Sequence, residues 1–126
     1  MTDFQAFFRA VVTQDADALR AFFAPDAQIC WHCSNERFTL EEYIRANCEY
    51  PGKWNGELER VEQTGGTTVL VGRIFDTDGA SLHVVSFLRE QGGKIVSLDE
   101  YYGDDGPAPA WRQEMKLGTK INGALP

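Results

Sequence analysis

Apolar residues recur at helical spacing through the first third of the chain and at alternate positions through most of the rest. Phe4, Phe7, Phe8, Val11 and Val12 lie three and four apart, which predicts an amphipathic helix over residues 3–13. Thr2 and Gln5 have the spacing of a capping box at its start. Asp15 is placed to cap a second helix with Ala18, Leu19, Phe22 and Phe23 as its stripe, ended by Pro25-Asp26. Residues 27–33 read as a strand, with Ile29, Trp31 and Cys33 on one face and Gln28, Cys30 and His32 on the other. Residues 34–37 read as a polar turn. Thr39 and Glu42 form a second capping box, opening a helix that carries Leu40, Tyr43, Ile44 and Asn47 and closes at Tyr50-Pro51-Gly52.

From Trp54 onward the period is two. Strands are predicted over 54–63, 67–76, 81–89 and 94–102, separated by Gly65-Gly66, by residues 76–79 and by Gln91-Gly-Gly93. Turns this short join antiparallel neighbours and leave no room for parallel crossovers. Three helices followed by a long curved antiparallel meander make the class α+β, as one domain over residues 1–126. In the tail, Gly103 and Pro107 stop the last strand. Trp111 and Met115, four apart, predict a short helical turn docked on the body, as edge cover or as a lid.

The last strand carries the chain's one chemical oddity. Val96, Leu98, Glu100 and Tyr102 share a face, so a carboxylate stands in an apolar row, where a charge is costly unless paired or protonated. Its neighbour depends on hairpin register. A four-residue loop over 90–93 sets Arg89 against Lys94, Phe87 against Val96, Val85 against Leu98 and His83 against Glu100, with directly opposed Cβ atoms about 5 Å apart. A three-residue loop instead places His83 on the outer face with Tyr101.

Charge and cysteine content narrow the partners. The net charge is −7, and the basic residues are scattered singly, so neither nucleic acid nor an anionic membrane is an expected partner. No apolar run reaches the roughly 20 residues that span a bilayer. The N-terminus lacks the pattern of a signal peptide, and three cysteines, an odd number, suit reduced thiols. The expected location is the cytoplasm. Cys30-Trp31-His32-Cys33 invites a redox or metal reading. On a strand, however, residues three apart point to opposite sides, and His32, Cys48 and His83 show no ligand spacing. Neither a metal nor a cofactor is expected.

The residues Phe22-Phe-Ala-Pro-Asp-Ala27, Phe38-Thr-Leu-Glu-Glu-Tyr-Ile44, Gly93-Lys-Ile95 and Glu100-Tyr-Tyr-Gly-Asp104, in this order of elements, resemble the nuclear-transport-factor-2-like superfamily, and its SnoaL-like branch most of all. The resemblance spans residues 3–105. It implies a conical half-barrel, with three N-terminal helices packed on a curved, mainly antiparallel sheet around a pocket. It also implies a homodimer through the outer face of the sheet. The superfamily holds isomerases, epoxide hydrolases, cyclases, dehydratases and plain binders, so fold alone does not assign chemistry. At the positions where ketosteroid isomerases carry a Tyr and two Asp residues, this chain has Phe7, Trp31 and Val85. The acid of epoxide hydrolases matches Glu100, but Arg73 and Asp76, the comparable partners, face opposite ways. The acid of SnoaL-like cyclases also matches Glu100.

The leading expectation is a SnoaL-like small-molecule-binding protein, with Phe7, Trp31, Tyr43, Val85, Phe87, Leu98 and Tyr102 around a small apolar ligand. The alternative is a general acid–base enzyme of the polyketide cyclase, isomerase or dehydratase type. There Glu100 is the catalytic carboxyl and His83 its partner, a pair able to hold a proton near neutral pH. The same pair equally serves as a satisfied polar contact. A third reading is an interaction domain that uses Val84, Ser86, Leu88 and Tyr101 on the outer sheet face.

Overall fold

The computed structural model describes residues 1–121. Element order is α1 (Phe4–Val12), α2 (Ala16–Arg20), β1 (Phe23–Trp31), β2 (Glu36–Phe38), α3 (Leu40–Cys48), β3 (Trp54–Thr64), β4 (Thr67–Asp76), β5 (Ser81–Gln91), β6 (Lys94–Asp104) and α4 (Ala110–Glu114). The strands form one sheet in the order β2-β1-β6-β5-β4-β3. Every pairing is antiparallel except β1 with β6, which is parallel. The class is therefore α+β, a six-stranded sheet left open with the first three helices against its concave face.

Each of the first three helices begins where a short polar side chain satisfies free backbone N–H groups. At α1 that side chain belongs to Asp3, which accepts from the Ala6 amide at 3.0 Å, so Thr2 does not open the helix. Asp15 accepts from the Ala18 amide at the start of α2. The box at α3 is complete: Glu42 donates its amide to Thr39 Oγ1 at 3.3 Å, and the Thr39 amide reaches Glu42 Oε1 at 2.9 Å. Helix α2 stops sooner than its apolar stripe suggested. Phe23 is already in β1, paired with Ile95, because Pro25 holds the residue before it extended. The stretch read as a polar turn contains a short edge strand, β2, behind a turn at 32–35.

The sheet's inner rows meet the helices. Ile29, Leu70, Leu88, Ile95 and Leu98 pack against Phe7, Leu19, Tyr43 and Ile44, all buried. Burying each such side chain contributes roughly 1.5–3 kcal/mol. Toward β3, helix α1 rides close enough that a Cβ on Gly72 would stand 2.5 Å from the Phe8 ring, and one on Gly56 would stand 2.7 Å from Val12. Two bare glycines let this end of the helix touch the sheet.

The β5–β6 hairpin departs from the expected register. Its loop is two residues, Gly92 and Gly93, with φ of +58° and +79°. Positive φ at both centres is what a tight hairpin turn requires, and glycine adopts it without strain. A bulge follows, between Arg89↔Ser97 and Glu90↔Ile95. The resulting partners are Ser86↔Glu100, Leu88↔Leu98, Val85↔Tyr101 and His83↔Gly103. A slip of odd length turns every side chain of β5 to the other face. Hence Leu82, Val84, Ser86 and Leu88 point into the cone. His83, Val85 and Phe87 lie on the convex side, Phe87 at 38% exposure beside Tyr101 at 44%. Helix α4 forms around Trp111, but Trp111 and Met115 are 55% and 63% exposed, so neither docks on this chain.

Candidate functional site

Glu100 is the buried acid that its place in the apolar row predicts, at 3% exposure. Strand β6 aims it into the cone, and the parallel neighbour β1 sets Trp31 directly beside it. Three groups donate to it. Ser86 Oγ reaches Oε2 at 2.5 Å, while Trp31 Nε1 and the Tyr102 hydroxyl both reach Oε1 at 3.2 Å. Burial holds the carboxyl above its ordinary pKa, against the opposing pull of the bonds from Ser86, Trp31 and Tyr102. Burial, and then the charge of Glu100, push the phenols of Tyr43 and Tyr102 well above the usual tyrosine range, so both stay neutral. The Tyr43 hydroxyl is fully buried with no hydrogen-bond partner among the described residues.

His83 is not part of this cluster. On the convex face it bonds through Nδ1 to Asp105 and lies 3.3 Å from Glu59 through Nε2. Asp105 also accepts from Ser81 Oγ at 2.5 Å and stands 3.9 Å from the Arg73 guanidinium. Burial alone would raise the Asp105 carboxyl. The bonds from Ser81 and His83 and the charges of His83 and Arg73 outweigh it and hold that carboxyl below its usual range. The sheet thus separates the two groups expected to form a cross-strand acid–base pair. It does so because the bulge between Arg89↔Ser97 and Glu90↔Ile95 puts one extra residue into β6 and makes the slip odd. The two-residue loop alone shifts the register by two and would leave the faces as expected.

A cavity of about 340 Å³ opens where α1 and α3 end, over the last residues of β6. Val11, Val12, Ile74 and Leu82 form its apolar wall, and Trp31, Tyr50, Trp54 and Tyr102 supply aromatic surface. Most of its polar wall atoms are already engaged. Trp31 Nε1 and the Tyr102 hydroxyl turn to Glu100, and Trp54 Nε1 donates to the Pro51 carbonyl. The Gln14 amide donates to the Asn47 and Tyr50 carbonyls, and the Asn47 amide to that of Val11. Ser34 donates to Glu36 at 2.6 Å. What faces the cavity is ring surface and aliphatic surface, with the carboxylates of Glu36 and Asp104 among its lining. Lys, Arg and His are absent from that lining among the described residues. Glu100 sits behind Trp31 and Tyr102, one hydrogen bond from the wall.

Of the ligand-contacting residues expected from sequence, Trp31 and Tyr102 line the cavity. Phe7, Tyr43 and Leu98 lie deeper, as buried core beneath it. Val85 and Phe87 are on the opposite face of the sheet, a correction that follows from the register. So is the outer row read as Val84, Ser86 and Leu88, all three of which are buried inside. The residues that sequence reasoning missed, Tyr50, Trp54, Asn47 and Leu82, sit at element ends that the topology gathers at one end of the cone. Tyr50 and Trp54 flank the Pro-Gly turn after α3, the one local signal that pointed to them.

A curved sheet with helices in its concavity and an apolar cavity at the open end defines the nuclear-transport-factor-2-like fold. Within that class the chain belongs to the SnoaL-like domain family, whose model matches residues 4–98. A candidate ketosteroid isomerase from Kribbella flavida is similar in structure, with a TM-score of 0.77 at 22% identity over 96% of this chain and 88% of that one. A nuclear-transport-factor-2-like protein of unknown function from Burkholderia xenovorans also has a TM-score of 0.77, at 25% identity over 94% and 92%. A protein of ketosteroid-isomerase-like fold from Catenulispora acidiphila, in complex with trimethylamine, has a TM-score of 0.68 at 18% identity over 79% and 84%. No match was found among curated proteins. No helix among the described residues is long and apolar enough to cross a membrane.

Proposed function

We propose that this chain is a binding protein for a small, largely apolar molecule with a neutral or positively charged head group, held in the cavity at the open end of the cone. The observation that carries this reading is the division of labour in the wall. Indole, phenol and amide groups are spent inside the protein, leaving aromatic faces and two carboxylates toward the ligand. Aromatic faces attract cations, and carboxylates with no basic neighbour in the lining repel anions. The trimethylamine bound to the Catenulispora protein is a cation of this kind at neutral pH. Intrinsic fluorescence tests the reading in a Trp111→Phe background, which leaves Trp31 and Trp54 as reporters. Benzyltrimethylammonium and benzyl alcohol are expected to bind and phenylacetate to bind far less, with Leu82→Trp abolishing the response by filling the cavity. Equal binding of all three probes, or binding that survives Leu82→Trp, would refute it.

A second reading, general acid–base catalysis, is favoured by one contact. Glu100 reaches the cavity through the Tyr102 hydroxyl, which donates to it and lines the wall. Ionised Glu100 would then take the Tyr102 hydroxyl proton through Oε1 as that phenol oxygen takes a proton from the substrate, with no role for His83. Under this reading Tyr102→Phe and Glu100→Gln lose turnover of a cyclisable or enolisable substrate to the same extent; unequal losses count against the relay.

We also propose that two copies pair through the convex face. Val69, Val71, Val85, Phe87 and Tyr101 form adjacent rows there, and Phe87 and Tyr101 remain substantially exposed. Sedimentation should give a dimer that Phe87→Asp converts to a monomer; a monomeric wild-type chain at high concentration would end the idea.

A further inference from the structure

We infer that Cys30, His32 and Asp99 form a binding site for a zinc-class divalent metal on the convex face, outside the cavity and independent of it. Cys30 and His32 are two apart on an extended segment, so both project to the same side. Parallel pairing puts Asp99 of β6 directly beside Cys30 of β1. The His32 amide bonds to the Glu100 carbonyl at 3.0 Å, which carries the β1–β6 alignment one residue past the end of β1. The sulfur, an imidazole nitrogen and a carboxylate oxygen lie within 4.8 Å of one another. Tetrahedral ligands at zinc distances stand about 3.5 Å apart, so small side-chain rotations close the site.

The imidazole is already held in place. Its ring stacks on Tyr101 with centroids 4.5 Å apart and planes 9° from parallel, and its Nε2 meets Asp99 Oδ1 at 2.7 Å. Such a contact fixes the ring in reach of the other two donors. Thiolate, imidazole and carboxylate together suit zinc or cobalt and disfavour calcium and magnesium, which take oxygen donors only. Three protein ligands leave a fourth position for water. Arg37, paired with Cys30 across β2, sets a positive charge nearby that opposes the metal, while Asp99 and the thiolate supply two negative ones. On binding, the Cys30 S–H bond breaks, a sulfur–metal bond forms, and the proton passes to solvent.

Cys33, the other half of the Cys-x-x-Cys pair, takes no part. Its sulfur bonds to the Tyr102 carbonyl at 3.2 Å. The partner that completes the cluster is therefore not the second cysteine but an aspartate 69 residues beyond Cys30 in sequence. No spacing rule along the chain would find it.

Titration of the reduced, metal-free protein with cobalt(II) tests the site. One equivalent is expected to give intense tetrahedral d–d bands and a thiolate-to-cobalt charge-transfer band, both removed by zinc. Cys30→Ser should abolish the charge-transfer band. Asp99→Asn and His32→Ala should each weaken binding by about tenfold or more, since losing even an outer partner of a metal ligand has that effect. Cys33→Ser and His83→Ala, outside the cluster, should bind as the wild type does. Absence of the charge-transfer band in the wild type would overturn the proposal. So would a band that survives Cys30→Ser, or one lost in Cys33→Ser. Because His32→Ala and Asp99→Asn alter exposed or half-exposed side chains, they keep the test decisive if Cys30→Ser fails to fold.

Discussion

The substitution Glu100→Gln bears most directly on the buried acid. When Glu100 is protonated, its proton is directed from Oε2 to Ser86 Oγ, 2.5 Å away, while Oε1 accepts from Trp31 and Tyr102. Glutamine reproduces that arrangement, with Nε2 donating to Ser86 and Oε1 keeping both of its donors. The two proteins should therefore differ by no more than one ordinary hydrogen bond at low pH, about 1 kcal/mol. As pH rises they diverge. A carboxyl whose pKa is raised by folding binds its proton more tightly in the folded chain than in the unfolded one. Its contribution to stability is thus fully present below the unfolded value and is lost as pH rises toward and through the folded value.

In that window the wild type loses up to about 1.4 kcal/mol per pH unit relative to the variant, starting near the ordinary carboxyl value of about 4.3. The gap stops growing once the folded carboxyl has ionised. Urea denaturation followed by far-ultraviolet circular dichroism, at unit pH steps from 4 to 8 and fixed ionic strength, measures the difference. Every other titrating group cancels in it. The expected result is that Glu100→Gln gains on the wild type with pH and then levels off. A difference that stays flat, or that moves in favour of the wild type, would mean the three donors outweigh desolvation, and the account of a proton-holding acid would fail. Glu100→Ala is expected to cost roughly 2–4 kcal/mol at every pH, because it leaves a void and strips Ser86 of its partner.

Three further outcomes follow from the packing and the convex face. Gly72→Ala drives a Cβ to within 2.5 Å of the Phe8 ring and should cost about 1–3 kcal/mol in urea melts. Much of that loss should be recovered when Phe8→Leu removes the ring; a neutral Gly72→Ala would show that α1 is free to lift. Asp105→Asn should lose about 1–2 kcal/mol at pH 6, where the ionised carboxyl holds Ser81 and His83. Because this pKa is lowered by folding, the stabilisation is present above the unfolded value and lost as pH falls through the folded one. The deficit of the variant should thus shrink below about pH 4, and a deficit that persists in acid would refute the ion cluster. Trp111→Ala should leave stability within about 0.5 kcal/mol and leave benzyl alcohol affinity unchanged, since Trp111 is exposed and away from the cavity; a change in affinity would restore it as a lid.

The architecture was legible because it rests on local rules that the chain obeys. Asp15 and the Thr39–Glu42 box start helices where they stand in the sequence, and the alternation from Trp54 onward becomes four long strands. Glu100 was legible for the same reason. Parity along a single strand places it among apolar neighbours whatever the rest of the sheet does. Its partners were not legible, since they depend on a quantity no single strand contains. The loop over 90–93 reads as four residues or as three, and each one-residue change in register exchanges the two faces of β5. The glycine pair at 92–93 marks a two-residue turn, but that turn alone keeps the expected parity, and the bulge just beyond it, which exchanges the faces, has no such mark in the sequence.

That one bulge decides more than a hairpin. With it, the imidazole leaves the acid, and Ser86, a residue read as part of the outer surface, becomes the group closest to Glu100. The interior is then left with a carboxyl whose three partners are all neutral, so among the described residues nothing inside the cone compensates its charge except hydrogen bonds. A protein that merely needed to fill this position would be better served by glutamine, which keeps the bonds from Trp31 and Tyr102 and donates to Ser86 in place of accepting from it, without the cost of ionisation. The retention of an ionisable group where an amide fits is therefore a functional argument in its own right. It holds only if Glu100→Gln is the more stable protein at neutral pH.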